Sequence, residues 1–245
     1  MTQDKIYASK PASDEPFRFD DSVAKVFPDM LRRSIPGYAA SLEAIGSLAA
    51  RYVRPDTNCY DLGCSLGAAT LAMRQGIDVA GCRIVAIDNA PAMIEHCTAL
   101  ITKDDAAQPR QTPVDVTLAD IQDVAIGNAS MVVMNYTLQF LDLDARDAMI
   151  GRIHDGLLPG GLLLLSEKVV DEDPRMEELL LDLHHEHKRR NAYSELEISR
   201  KRAALETVLI PETIAAHRER LKLAGFAHVG VWLRYFNFAS IVAIK

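Results

Sequence analysis

No stretch of this sequence is apolar for long enough to cross a bilayer, and nothing near its first residues resembles a signal peptide, so a soluble, cytoplasmic protein is expected. Cysteine is scarce and poorly spaced for metal work: Cys59, Cys64, Cys82 and Cys97 contain no C-x-x-C pair. They are expected to be small buried side chains in a reducing compartment rather than a disulfide or zinc framework. Basic charge is in deficit, 27 Lys and Arg standing against 34 Asp and Glu for a formal charge of -7 and a pI near 5.5. A broad phosphate-binding surface, and with it tight independent binding to nucleic acid, is not expected; local basic clusters remain. There are no internal repeats or low-complexity tracts, and 245 residues suffice for one large domain, with or without an insertion.

What the chain does have is one organising stretch, Asn58-Cys59-Tyr60-Asp61-Leu62-Gly63-Cys64-Ser65-Leu66-Gly67. An apolar run ends in an acid, breaks at Gly63 and resumes after Gly67 as Ala68-Ala69-Thr70-Leu71-Ala72-Met73, the pattern of a strand, a glycine turn and a helix. Glycine at 63 and 67 permits positive φ and lets a ligand approach without a Cβ in the way, and the N–H groups at the helix start face that ligand. Further on, Arg83-Ile84-Val85-Ala86-Ile87-Asp88 reads as a second strand ending in a carboxylate, the place of a ribose acceptor. The spacing is G-x-x-x-G with Asp61 two residues ahead, not the G-x-G-x-x-G of a dinucleotide site, and an acid there suits an ammonium group. The motif resembles the cofactor site of class I S-adenosylmethionine enzymes; the alternatives are an empty turn and a nicotinamide site.

Residues up to about Phe17, with Pro11 and Pro16, read as a mobile tail (1–18), ahead of a single domain (19–245) whose first helices (19–54) precede the glycine loop. Between Phe19 and Tyr38, Val23, Val26, Phe27, Met30 and Leu31 fall at helical spacing. This predicts an amphipathic helix packed over the domain edge; the alternative is a lid with Tyr38 dropped towards the sulfonium. Ser41 to Val53 reads as a helix, and Pro91 opens another. A third strand, Val114 to Ala119, ends at Asp120-Ile121, where the carboxylate suits the exocyclic amine of adenine and the Ile121 N–H a ring nitrogen; a solvated loop acid is the alternative. A fourth, Ala129 to Met134, stops at Asn135-Tyr136, which should face the reactive end of the cofactor, unless Asn135 is a helix cap. A helix from Asp144 to Leu158 is stopped by Pro159-Gly160-Gly161, and the uniformly apolar Leu162 to Ser166 reads as a buried central strand.

Residues 171–210 read as a helical insertion, Glu177 to Arg190 and Glu195 to Val208, carrying the clusters Lys188-Arg189-Arg190 and Arg200-Lys201-Arg202. Five of these six basic residues are expected on solvated faces. His184, His185 and His187 do not have the spacing to meet on one metal, and none is expected. Pro211 to Ala224 forms a last helix, and Val229 to Tyr235 with Phe238 to Ile244 a terminal strand pair. The fold expected is therefore α/β and doubly wound, a mostly parallel seven-stranded sheet with an antiparallel last strand, plus the helical insertion. Residues alone lead to S-adenosylmethionine binding and no further: neither an Asn-Pro-Pro-Tyr type amine site nor a catalytic cysteine is recognisable.

Three segments carry more. Phe19-Asp20-Asp21-Ser22-Val23-Ala24 with Arg32-Arg33-Ser34-Ile35-Pro36-Gly37-Tyr38, the loop Tyr60 to Ala68, and Asn191-Ala192-Tyr193-Ser194-Glu195-Leu196-Glu197-Ile198-Ser199 resemble the carboxy-S-adenosyl-L-methionine synthases over nearly the whole chain. The resemblance implies that prephenate loses its ring carboxylate and hydroxyl to become phenylpyruvate, and that the carbon dioxide released is captured by the cofactor's methyl carbon. The departing hydroxide would take the proton that the sulfonium acidifies, so the protein's part is positioning and exclusion of water. It also implies a cofactor pocket of Tyr38, Gly63, Cys64, Ser65, Asp88, Asn89, Asp120, Ile121 and Asn135. Arg202, just past the Ser194 to Ser199 motif, is implied as the carboxylate-binding and catalytic arginine. A homodimer built partly by the insertion is implied too. The product then serves a separate enzyme that carboxymethylates the wobble uridine of certain transfer RNAs, and the acidic chain itself need not hold RNA. Two rivals stay open: a conventional methyltransferase acting on a small anionic acceptor, and a non-catalytic cofactor-binding protein docked on the RNA-modifying enzyme.

Overall fold

A computed structural model describes residues 3–9, 17–107, 112–205 and 208–245. Its strands are β1 (Asn58–Leu62), β2 (Arg83–Asp88), β3 (Val114–Leu118), β4 (Ala129–Asn135), β5 (Leu157–Val170), β6 (Glu212–Thr213), β7 (His228–Tyr235) and β8 (Phe238–Ile244). Its helices are α1 (Ile6–Ser9), α2 (Asp21–Ala24), α3 (Phe27–Ser34), α4 (Tyr38–Tyr52), α5 (Ala68–Gly76), α6 (Pro91–Ala107), α7 (Leu143–Gly156), α8 (Pro174–Arg190), α9 (Glu195–Leu205) and α10 (Ile214–Leu223), with a 3-10 turn at Leu138–Phe140. Seven strands lie side by side in the order β3-β2-β1-β4-β5-β8-β7, and the short β6 pairs with the end of β5 off this path. The first five in space are parallel and β8 runs antiparallel to β5, as expected of a doubly wound sheet with a reversed last strand. Strand order reverses between β1 and β4, and sheets of this kind take their ligands beyond the carboxyl ends of the strands at such a point.

Alternation along the central strands sorts side chains onto two faces. Met131 and Val133 of β4 with Leu162 and Leu164 of β5 pack against Ile45 and Ala49 of α4. Val132 and Met134 with Leu163 and Leu165 pack on the opposite face against Met149 and Ile150 of α7 and Leu221 of α10. The pairing of β5 with β8 runs unbroken from Leu162 to Lys168, so the period of two carries on, and Ser166 and Lys168 belong to the α4 face together with Asn135.

Three sequence expectations change. Helix α7 ends at Gly156, and Pro159-Gly160-Gly161 lies inside β5 rather than before it. Leu157 pairs with Ala129 and Leu162 with Met131, so the surplus residues are accommodated as a bulge at the strand's start. The Phe19 to Tyr38 segment breaks into α2 and α3 because Pro28, lacking an N–H, fits only the first turn of a new helix. Finally, the described part of the expected tail is packed: Asp4 is 2% exposed, its N–H donates to Asp29 and its carboxylate accepts from the Tyr193 hydroxyl. Residues 1, 2 and 10–16 of that tail lie outside the described residues.

The same polar seam ties α3 to the insertion. The Arg33 guanidinium donates to the backbone oxygens of Asp4, Asn191 and Ala192 and lies 4.0 Å over the Tyr193 ring, while the Lys201 ammonium donates to Ser34 Oγ. Each of these buried charges thus has its partners, the condition under which burial is tolerated.

Candidate active site

The glycine loop leaves β1 at Asp61 and enters α5 at Gly67. Gly63 has φ 81°, and both the Gly63 and Cys64 N–H groups donate to the Ile87 oxygen, which pins the loop against β2. A Cβ on Gly63 would overlap the Thr137 side chain. Gly63→Ala therefore meets a bad φ and a clash together; we expect a loss of about 2 kcal/mol in urea unfolding, with part regained in the Gly63→Ala, Thr137→Gly pair. At Gly67, φ 86°, a Cβ would lie 2.8 Å from Cys97 Sγ, so α6 also demands glycine.

Asp61 is 1% exposed. Thr70 donates to its Oδ2 at 2.6 Å, and Oδ1 has no hydrogen-bond partner among the described residues. Burial is the main force pushing its carboxyl up to about 6; Thr70 opposes the rise and the Asp88 charge adds to it. A buried, orphaned carboxylate oxygen at the end of β1 is the acceptor that the ammonium of a methionine-bearing ligand would satisfy. Asp88, at the end of β2, accepts from the Ser65 N–H at 2.9 Å and the Ala90 N–H at 2.9 Å, and burial raises its carboxyl above the usual range. Those bonds hold it at the rim where a ribose diol would meet it.

Tyr38 opens α4, and its ring lies 6.4 Å from that of Tyr136. Its hydroxyl is held un-ionised chiefly by burial and then by the Asp61 charge. Asn135 closes β4, its Oδ1 accepting weakly from Ser41 Oγ at 3.4 Å, and it is not a helix cap. Tyr136 takes φ 66°, donates its N–H to Ser166 O and turns its ring edge to Phe238 at 6.0 Å. The turn beneath it is held by Glu167, whose buried carboxylate accepts the Leu138 and Gln139 N–H groups. The adenine end forms separately: Asn89 donates to Asp120 at 3.5 Å, Asp120 also accepts the Gln122 N–H, and Ile121 is buried beside them.

The expected pocket residues thus converge on the carboxyl ends of β1, β2, β3 and β4. Segment α2–α3 packs through Val23, Val26, Phe27 and Met30 onto Met93 and Leu66, covering the rim of the glycine loop. Arg202 is different. It is exposed on α9, makes no ion pair among the described residues, and its charge is felt by Lys168, His185 and Lys188. The expectation that five of the six clustered basic residues are solvated fails: Lys188 and Lys201 are 9% and 6% exposed, whereas Arg189 and Arg190 lie outside against Glu195 and Glu186. A run of charges says nothing about which of its members faces inward once the helix is docked. His184 is buried with its Nε2 on the Ser34 oxygen, its pKa driven down to about 2 by burial, and among the described residues no cluster is arranged to hold a metal. The four cysteines are all buried and free.

Two residues escaped notice in the sequence. Thr70 supplies the hydroxyl on Asp61, and its only signal was its place in the first turn of α5. Lys168 stands two residues past Ser166, at the strand end where open sheets collect ligands, and that position was the available signal.

Comparison with known proteins gives the family and the fold. A family model described as a methyltransferase domain matches residues 60–161, from the glycine loop through β4 to the start of β5. The chain is 53% identical over 242 residues to the carboxy-S-adenosyl-L-methionine synthase of a Geobacter species, covering 99% of this chain and 98% of that one. It is 55% identical over 229 residues to the enzyme of the same name from Aliivibrio fischeri, covering 94% and 93%. Among solved structures, human N-acetylserotonin methyltransferase in complex with S-adenosylmethionine superposes with a TM-score of 0.61 at 18% identity, covering 92% of this chain and 55% of that one. Magnesium protoporphyrin IX methyltransferase from Synechocystis gives 0.58 at 14%, covering 88% and 86%. These two show a shared fold, and the synthases share nearly every residue range as well: the chain belongs to the carboxy-S-adenosyl-L-methionine synthase family, enzymes that use S-adenosylmethionine on a class I methyltransferase fold.

Proposed function

We propose that this enzyme converts S-adenosylmethionine and prephenate to carboxy-S-adenosylmethionine, phenylpyruvate and water. The observation that carries the reading is the buried Asp61 Oδ1, at the end of β1 and without a hydrogen-bond partner among the described residues. Asp61 would hold the ammonium, Asp88 the ribose, Asp120 and Ile121 the adenine, with Asn89 bracing Asp120. Gly63, Cys64 and Ser65 would form the wall of the pocket. Tyr38 and Asn135 would close over the methyl, with Tyr136 beside them.

The atoms balance without a protein base. Loss of the ring carboxylate and hydroxyl from prephenate yields phenylpyruvate, carbon dioxide and hydroxide; the hydroxide takes one methyl proton to give water, and the methyl carbon bonds to carbon dioxide. What the chain supplies is enclosure, since a carbanion beside sulfur would be quenched by bulk water. Tyr38 and Tyr136, both kept neutral by burial, contribute apolar ring faces that exclude it. Arg202 is the residue to grip the new carboxylate, because a guanidinium can bind both oxygens at once.

The product would serve as carboxymethyl donor to a separate enzyme acting on the wobble uridine of transfer RNA. The enzyme would work in the cytoplasm as a homodimer. Mass spectrometry of small molecules released from the purified, heat-denatured protein tests the reading. A nucleoside heavier than S-adenosylmethionine by one carbon dioxide supports it; S-adenosylhomocysteine, the product of an ordinary methyl transfer, contradicts it.

A further inference from the structure

Three cations come together from β5, α8 and α9. Lys168 is half-buried on β5, Lys188 is 9% exposed on α8, and Arg202 is exposed on α9. None has an ion pair or a side-chain hydrogen bond among the described residues, and each lies within coulombic reach of the other two. Lys201, buried on α9 next to Arg202, shows the contrast, because Ser34 Oγ accepts from it and Asp4 offsets its charge. One carboxylate offsets part of this charge: Glu177, which accepts the Asp171 N–H at 2.7 Å, attracts Lys168, while Lys188 has only like charges acting on it. Neither lysine ammonium donates a hydrogen bond among the described residues, so each is free to take an anion.

Position joins these charges to the reacting centre. Lys168 shares the α4 face with Asn135, its N–H donates to Gln139 Oε1, and Gln139 in turn reaches the Tyr136 oxygen. Its partner on β8 is Phe238, whose ring meets Tyr136 on one side and His184 of α8 at 4.9 Å on the other. Lys188 follows His184 by one helical turn, which sets its ammonium on the same side of α8.

We propose that Lys168 and Lys188 form a second carboxylate seat beside Arg202, which holds the pyruvyl carboxylate of prephenate while the ring carboxylate departs towards the methyl. The seat rests on prephenate being the substrate, as proposed above. A dianion losing one carboxylate must be anchored by the other, or the carbon dioxide escapes with the fragment that formed it. Two lysines, as point charges on flexible stems, suit a group that stays while its neighbour reacts; the planar fork suits the carboxylate being made.

The test uses the intact enzyme saturated with S-adenosylhomocysteine, and titrates prephenate and phenylpyruvate by calorimetry. Phenylpyruvate carries only the retained carboxylate. Lys168→Met and Lys188→Met should each weaken both ligands about tenfold and leave S-adenosylmethionine affinity within about twofold, whereas Arg202→Ala should weaken prephenate far more than phenylpyruvate. Should Lys188→Met fail to fold, Lys168→Gln reads the same seat. Variants that bind both anions as the wild type does overturn the seat while leaving the reaction in place. Lysine-dependent binding by an enzyme that makes no carboxylated product overturns the reaction and leaves the seat.

Discussion

Arg202→Ala is expected to lower kcat/KM for prephenate roughly 100-fold while S-adenosylmethionine binds within about twofold of wild type, because a fixed charge facing a developing carboxylate carries about 3 kcal/mol. The structure makes this variant clean to interpret. Arg202 is exposed and unpaired among the described residues, so its removal orphans none of the described carboxylates, and thermal stability should hardly move. Arg202→Lys separates charge from geometry: it keeps the cation and loses the fork, so a loss of about tenfold is expected. If both variants turned over as the wild type does, the carboxylate grip would have to be reassigned.

Asp61→Asn should have the second large effect, and in opposite directions on binding and stability. Thr70 can still donate to the amide oxygen, but the other amide position is then an N–H aimed at an ammonium, donor against donor. We expect S-adenosylmethionine affinity to fall about 100-fold by calorimetry, the worth of a charge-assisted hydrogen bond plus that mismatch. In the unliganded protein the sign reverses. Burial lifts the Asp61 carboxyl from 3.8 to about 6, so the folded chain binds more protons than the unfolded one between those values, and its stability falls as pH rises through that window. The difference corresponds to roughly 3 kcal/mol, and at pH 7 the unliganded Asp61→Asn protein should be more stable than wild type by up to about that amount in urea titration. Ligand binding by the wild type should weaken as pH falls below about 6, where Asp61 becomes neutral, and the variant should lose that dependence.

The architecture was legible because its signals are local. Acids at the ends of β1 and β2, glycines where φ is positive and the apolar run Leu162 to Leu165 within β5 each follow from the short-range needs of a parallel sheet with a ligand at its rim. Asp61 drew attention by its place before Gly63; that one of its oxygens is left without a partner depends on Thr70 and on α5, and only the fold shows it. The insertion was read as two helices, but the inward side of a charged helix is set by what it docks on. Lys201 turns in towards Ser34, Lys188 turns in with no ion pair among the described residues, and Asp4, in a segment that looked like a free tail, completes the seam. Arg202 came from resemblance alone, and no period or spacing distinguishes it from Arg200.

The account depends on carbon passing from prephenate's ring carboxylate to the methyl group of S-adenosylmethionine within one enclosed site. Prephenate carrying carbon-13 in that carboxylate, incubated with the purified enzyme and S-adenosylmethionine, measures this directly. The account predicts a carboxymethyl sulfonium product bearing the label in its new carboxylate, with phenylpyruvate formed in equal amount. Labelled carbon dioxide lost to solution with the S-adenosylmethionine unchanged, or S-adenosylhomocysteine with a methylated acceptor, would contradict it.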